Sequence, residues 1–137
     1  MERIQKEITV DSRIENVETL TAFVEESLAP YSPSIKAQTQ INVAIDELFS
    51  NVVNYSGSSK MTLLIDVDKD VLTASLTFID EGVAYDPLAK ADPDVTLSAE
   101  ERKIGGLGIF LVKKTMDGIE YRREGDKNIL KVVKKLV

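Results

Sequence analysis

Apolar positions recur along this chain with two periods, and the switches between them lay out its elements. Residues 3–10, RIQKEITV, alternate enough to predict a first strand near a sheet edge. Asp11 and Ser12 follow as turn or cap residues. Val17, Leu20, Phe23, Val24 and Leu28 then fall at helical spacing over about 14–29, and Pro30 stops that helix. Ser32 is predicted to cap a second helix, with Pro33 at its first position, running to about Tyr55. In that helix Ile41, Ala44, Ile45, Leu48, Phe49, Val52 and Val53 make one apolar face. Ser56–Ser59 is the turn that ends it. Residues 60–68 and 71–80 read as strands joined by a hairpin turn at Lys69-Asp70. Asp80-Glu81-Gly82 breaks the second strand, and a long polar stretch runs from Pro87 to about Lys103. A helix over about 107–117 turns Ile109, Phe110, Val112 and Met116 inward, with Gly118 as its stop. Residues 119–124 and 128–136 close the chain as a hairpin around Gly125-Asp126.

The order is therefore β-α-α-β-β-lid-α-β-β, without an internal repeat. It predicts a single domain over 1–137, an α/β (α+β) two-layer sandwich with helices on one face of a mixed, mostly antiparallel sheet. The polar stretch exceeds an ordinary connection, so 88–104 is read as a functional lid.

Composition narrows the chemistry. The 137 residues with 43% hydrophobic content suit one domain with a real core. With 17 basic against 23 acidic residues the net charge is −6, and no Lys/Arg cluster dominates, which argues against a general nucleic-acid binder. Lys131, Lys134 and Lys135 are read as the wet side of a terminal strand. Any polyanion site must rely on backbone N–H groups and metal. There is no Cys and no His, which removes thiol chemistry, histidine metal sites and the usual general base. No apolar run approaches the roughly 18 residues of a membrane span, and no signal peptide is visible, so a cytoplasmic protein is expected.

Three polar breaks stand out, each at the end of a regular element. On the second helix Glu47 and Asn51 are four apart and so share a face. They are either a solvated edge or a base and a metal ligand facing a pocket, and the helix alone favours the edge. The second break is Asp80-x-Gly82-x-x-Tyr85-Asp86-Pro87. Read as chemistry, the Asp80 carboxylate accepts a hydrogen bond from an exocyclic amine and Gly82 lets a base lie flat; read as structure, it is a plain turn. The third is Gly105-Gly106-Leu107-Gly108 opening a helix, where free N–H groups and the helix dipole favour phosphate. It is neither a Walker loop nor a Rossmann fingerprint. Together the breaks form a coherent pocket: one for a base, one for phosphates, with Asn51 offering an oxygen to Mg²⁺.

With the boxes in this order, the chain resembles the GHKL ATPase superfamily of gyrase, Hsp90, histidine kinase and MutL ATP domains, whose Bergerat-type fold it would share. Within it, the chain most resembles the small anti-sigma-factor serine kinases of bacterial stress and sporulation control. Glu47-Leu-Phe-Ser-Asn51 matches the N box, Asp80 to Pro87 the first glycine box, and Gly105 to Asp117 the second. The resemblance implies that Glu47 is the general base, that Asn51 ligates Mg²⁺, and that Asp80 binds the adenine amine. Gly82, Gly106 and Gly108 would shape the pocket, with Tyr85, Asp86, Gly105 and Leu107 in the same nucleotide-binding boxes. It further implies ATP as substrate and ADP as product, a serine on a STAS-type anti-anti-sigma protein as acceptor, a sequestered sigma factor, and a homodimer. Arg102 and Lys103 are either contacts to the γ-phosphate or exposed lid charges. Tyr85 stands where the family often has Phe. Asn54-Tyr55 follow the N box where other members differ, and either tune the pocket or cap the helix.

Two functions from different classes remain. One is an ATP-dependent serine kinase acting as an anti-sigma switch, which the filled base position Glu47 favours. The other is a non-catalytic module that senses ATP or ADP and binds a partner. A histidine kinase fragment fits less well, because the boxes are compact and no His is present.

Overall fold

The structure, a computed structural model, describes residues 3–89 and 106–137. Among the described residues five strands form one sheet: β1 (Arg3–Asp11), β2 (Lys60–Asp68), β3 (Thr73–Asp80), β4 (Gly118–Glu124) and β5 (Lys127–Lys135). Their order is β1-β2-β3-β5-β4, and every pairing among the described strands is antiparallel. Helices α1 (Val17–Leu28), α2 (Ile35–Asn51) and α3 (Gly106–Thr115) complete the expected two-layer sandwich. Among the described residues no helix is long and apolar enough to cross a membrane.

The core follows from the two periods. Met61, Leu63, Ile65 and Val67 alternate inward on β2, and Ala74, Leu76 and Phe78 on β3. Leu20, Val24 and Leu28 of α1 and Ile41, Ile45, Leu48 and Phe49 of α2 lie in the same cluster at helical spacing. Ile109, Val112 and Met116 join from the α3 end as expected, whereas Phe110 is only half-buried and lies under the Lys114 ammonium at 5.4 Å.

Several boundaries move, each for a local reason. The cap of α2 is Ser34, whose Oγ accepts from Ala37 N at 3.0 Å, and not Ser32. Ser32 sits in left-handed backbone (φ 48°) after a 3₁₀ turn at Ala29–Tyr31, so it reverses the chain one step before the helix. The backbone N–H of Ser34 also donates to Leu136 O at 2.8 Å, which ties the start of α2 to the end of β5. After Asn51 the helix does not continue as α: Val52–Ser56 is a π turn, closed by Gly57 at φ 74°.

The β2–β3 hairpin is longer than the predicted Lys69-Asp70 turn. Leu72 adopts φ 45°, packs against the core, and accepts from Leu136 N at 2.9 Å, so β3 starts at Thr73. Gly118 does not stop α3. It is the first residue of β4, and the end of α3 is bonded instead by Lys134 Nζ, which donates to Thr115 O at 2.7 Å. Lys134 is thereby turned to the helical face, while Lys131 and Lys135 keep the open face. Of the expected lid, residues 88 and 89 belong to a 3₁₀ turn at Pro87–Ala89; residues 90–104, with Arg102 and Lys103, lie outside the described residues.

Because Ser34 and not Ser32 caps α2, Ser34→Ala is expected to lower unfolding free energy by about 1 kcal/mol and Ser32→Ala by under about 0.5 kcal/mol, read by urea denaturation.

Candidate functional site

Two polar residues stand where the alternation calls for apolar ones. Asp80 closes the inward series of β3 and Asn128 opens that of β5; they are direct cross-strand partners, and both are buried. Their hydrogen bonds account for that burial. Asp80 Oδ1 accepts from Gly82 N at 2.9 Å and from Asn128 Nδ2 at 3.0 Å. Asn128 Nδ2 also donates to Val83 O at 2.8 Å. Its Oδ1 accepts from Tyr85 N at 3.2 Å, from Arg123 Nη1 at 3.1 Å and from the Tyr121 hydroxyl. The Asn128 amide thus bonds through both its oxygen and its nitrogen. The outcome is an oriented carboxylate. Asp80 Oδ1 is committed, while Oδ2 takes no hydrogen bond from any described residue. Around it, Leu48, Val52, Phe78, Pro87 and Leu130 make apolar walls. Such a pocket suits a flat ring bearing an N–H donor.

Gly82 is required by packing. A Cβ there would lie 2.1 Å from Ser56 O and 2.5 Å from Ser56 Oγ. The adjoining Val83 N donates to Ser56 O at 2.8 Å. The loop after β3 is therefore pressed onto the π turn that ends α2, and the space of the missing side chain belongs to Ser56 rather than to a ring lying on the backbone.

Asn51, in the last turn of α2, lines the same pocket and is buried. Its Nδ2 has no hydrogen-bond partner among the described residues. A buried unpaired amide is costly in a folded protein and needs a reason, and a ligand in the pocket supplies one. The orphan nitrogen is a donor and suits an acceptor on the ligand, such as a phosphate oxygen; the amide oxygen is the atom that could face a hard cation.

One turn earlier, Glu47 is half-buried against α3. A Cβ on Gly108 would lie 1.8 Å from Glu47 Oε1, so the carboxylate rests directly on the first turn of that helix. Burial, and second to it the neighbouring Asp46 carboxylate, raise the Glu47 carboxyl above the ordinary glutamate range. Gly106 and Leu107 are the first residues of α3, where backbone N–H groups are free for an anion; Gly105 lies outside the described residues.

The remaining expected residues divide. Tyr85 lines the pocket and stacks on Tyr55 with ring centroids 5.1 Å apart and planes at 21°, so Tyr55 belongs to the pocket rim. Asp86 is absent from the pocket wall: its Oδ1 accepts from Leu88 N at 2.9 Å, and it caps the turn that seats Pro87. Asn128, Tyr121, Arg123 and Ser56 were not expected. Only Asn128 left a signal, as the polar residue at the inward position of the run NILKVV.

The histidine kinase-like ATPase domain family matches residues 10–134 of this chain. No curated protein sequence is significantly similar to it. Among solved structures, the RsbU and RsbW domains of Rv1364c from Mycobacterium tuberculosis are similar at a TM-score of 0.67 and 16% identity over 97% of this chain. The chain spans 32% of that one. The Acinetobacter baumannii histidine kinase AdeS matches at a TM-score of 0.51 and 16% identity, covering 96% of this chain and 68% of its own. A histidine kinase domain from the Erythrobacter litoralis EL346 blue-light activated histidine kinase matches at 0.55 and 10% identity, covering 93% and 62%. At these identities the likeness is one of fold.

Gly82→Ala must move the Ser56 backbone, so it is expected to cost about 1–3 kcal/mol in urea unfolding. Glu47 favours folding with its proton on, because its folded pKa is raised. That contribution is complete below the ordinary glutamate pKa and is lost as pH rises through the raised value. Glu47→Gln should therefore raise the Tm at neutral pH and leave it unchanged at acid pH.

Proposed function

This chain belongs to the histidine kinase-like ATPase domain family, and on that footing we propose that it is an ATP-dependent serine kinase and anti-sigma factor. In this reading residues 1–137 act as one ATP-binding domain. It phosphorylates a serine on a STAS-type anti-anti-sigma protein and sequesters a sigma factor, as a cytoplasmic homodimer. The observation that carries the reading is one pocket lined by an oriented Asp80 carboxylate and by Asn51, whose buried Nδ2 has no partner among the described residues. Glu47 does not line that pocket; it lies one helical turn before Asn51, against the first turn of α3. The RsbW domain in the similar Mycobacterium tuberculosis structure agrees with this reading.

Each group has a role that its chemistry supports. Asp80 Oδ2 would accept from the exocyclic amine of adenine; guanine would set its carbonyl oxygen against the carboxylate and be refused. Asn51 would offer its amide oxygen to Mg²⁺, which neutralises phosphate charge during transfer. The free N–H groups at the start of α3 would receive phosphate oxygens. Glu47 would take the proton of the seryl hydroxyl as its oxygen attacks the γ-phosphorus and the bond to ADP breaks. A carboxyl raised by burial is the better base for that step near neutral pH.

The deciding experiment is incubation with radiolabelled ATP and candidate STAS proteins. Label on a STAS serine is expected; ATP binding without label would leave a nucleotide-sensing binding module instead. Asp80→Asn is expected to weaken Mg-ATP binding at least about tenfold in calorimetry, since an amide N–H then meets the adenine amine. Glu47→Ala should keep ATP binding within about threefold while transfer falls by about 100-fold or more. The acid limb of the transfer rate should lie above the ordinary glutamate pKa, because activity is lost as the raised Glu47 carboxyl takes up its proton.

A further inference from the structure

Gly108 is the third residue of α3, and its backbone does not need glycine. Its φ is not positive, unlike that of Gly57 or Gly125. Within a helix glycine is the poorest choice after proline, and Ala the best. The reason for glycine must therefore be space. The group in that space is the carboxyl end of Glu47: a Cβ on Gly108 would stand 1.8 Å from its Oε1, 2.0 Å from its Cδ and 2.6 Å from its Oε2. Close approach of a phosphate to the backbone would need the same space to be open, and it holds the carboxylate. The contact also differs in kind from that at Gly82. There the obstacle is the Ser56 backbone; here it is the far end of a flexible side chain, which can swing away.

We propose that Gly108 is a positioning residue for Glu47: its missing side chain is the slot that seats the Glu47 carboxylate, half-buried, between α2 and α3 and facing the reacting end of the site. The proposal rests on the reading of Glu47 as the base. The slot accounts for the half-burial of a carboxylate that has no cation beside it among the described residues. From α2 the charged neighbour is Asp46, of the same sign. From α3 the facing residue is Gly108, and the described charges of that helix, Lys113 and Lys114, lie in its last turn. Filling the slot pushes the carboxylate out into solvent without disturbing the core.

The test compares the wild-type chain with Gly108→Ala. The Tm should be equal or higher, because Glu47 swings aside and Ala favours the helix. The Glu47 carboxyl, followed by NMR titration and assigned with Glu47→Gln, should titrate lower than in wild type. With Mg-ATP and a STAS acceptor, KM for ATP should stay within about threefold while kcat falls about 10- to 100-fold, as expected for a misplaced base. The acid limb of kcat should move down with the carboxyl. An unchanged Glu47 titration in folded Gly108→Ala overturns the proposal, and so does a large fall in Tm, which would mean that the space is bounded by something immovable. The base reading fails separately. If Glu47→Gln retains transfer, Glu47 is not the base, while the carboxyl titration of Gly108→Ala still decides the slot.

Discussion

The hydrogen bond between Asn128 and Asp80 is the constraint on which the site depends. It joins two neighbouring strands at their common end, on the face whose buried side chains on β2, β3 and β5 are otherwise apolar among the described residues. A carboxylate buried there without partners would cost several kcal/mol. Asn128 removes most of that cost by donating to one oxygen, and it leaves the other oxygen without a partner among the described residues. The same amide reaches Val83 and Tyr85, so the loop after β3 is held by the residue that orients the carboxylate. Arg123 extends the hold by donating to Gly82 O at 2.8 Å as well as to Asn128. Carboxylate orientation and loop position thus share one network, and loosening either loosens both.

Helix α2 supplies the opposite wall, and its rigidity comes from its buried face. Ile41, Ile45, Leu48 and Phe49 anchor it to the sheet, which leaves Glu47 and Asn51 along its edge beside α3 and the pocket. The π turn that follows shifts the register of the chain, so that Ser56 meets Gly82 and Tyr55 meets Tyr85. π turns concentrate at functional sites because the extra residue re-aims side chains. Here it brings a helix end, a strand end and an aromatic pair to one rim.

The two site glycines show how one residue type answers different demands. Gly82 admits the backbone of another element, a contact that cannot yield without moving the fold. Gly108 admits a side chain, a contact that yields easily and matters for where a charge sits. The first belongs to stability; the second, under the proposal above, belongs to the placing of the Glu47 carboxylate. That division follows from the stiffness of what occupies each space, not from the glycines themselves.

Periodicity determined the elements and the fold class, because burying one face of a strand or helix writes a period of two or 3.6 into the chain. Residue type and spacing likewise determined the boxes: Glu47 and Asn51 on one helical edge, Asp80 at a strand end, glycines opening a helix. The cap at Ser34, the start of β3 and the end of α3 were decided by tertiary contacts with Leu136 and Lys134, which lie far away in sequence. Asn128 was likewise invisible as a partner, since only the register of β3 against β5 sets it opposite Asp80. The helix read alone favoured a solvated edge for Glu47 and Asn51. Burial of the Asn51 amide and the seat of Glu47 on Gly108 exist only once α2, α3 and the sheet have packed. Local pattern specifies which faces are buried, but the neighbours of a buried polar group are set by strands and helices that meet only in three dimensions.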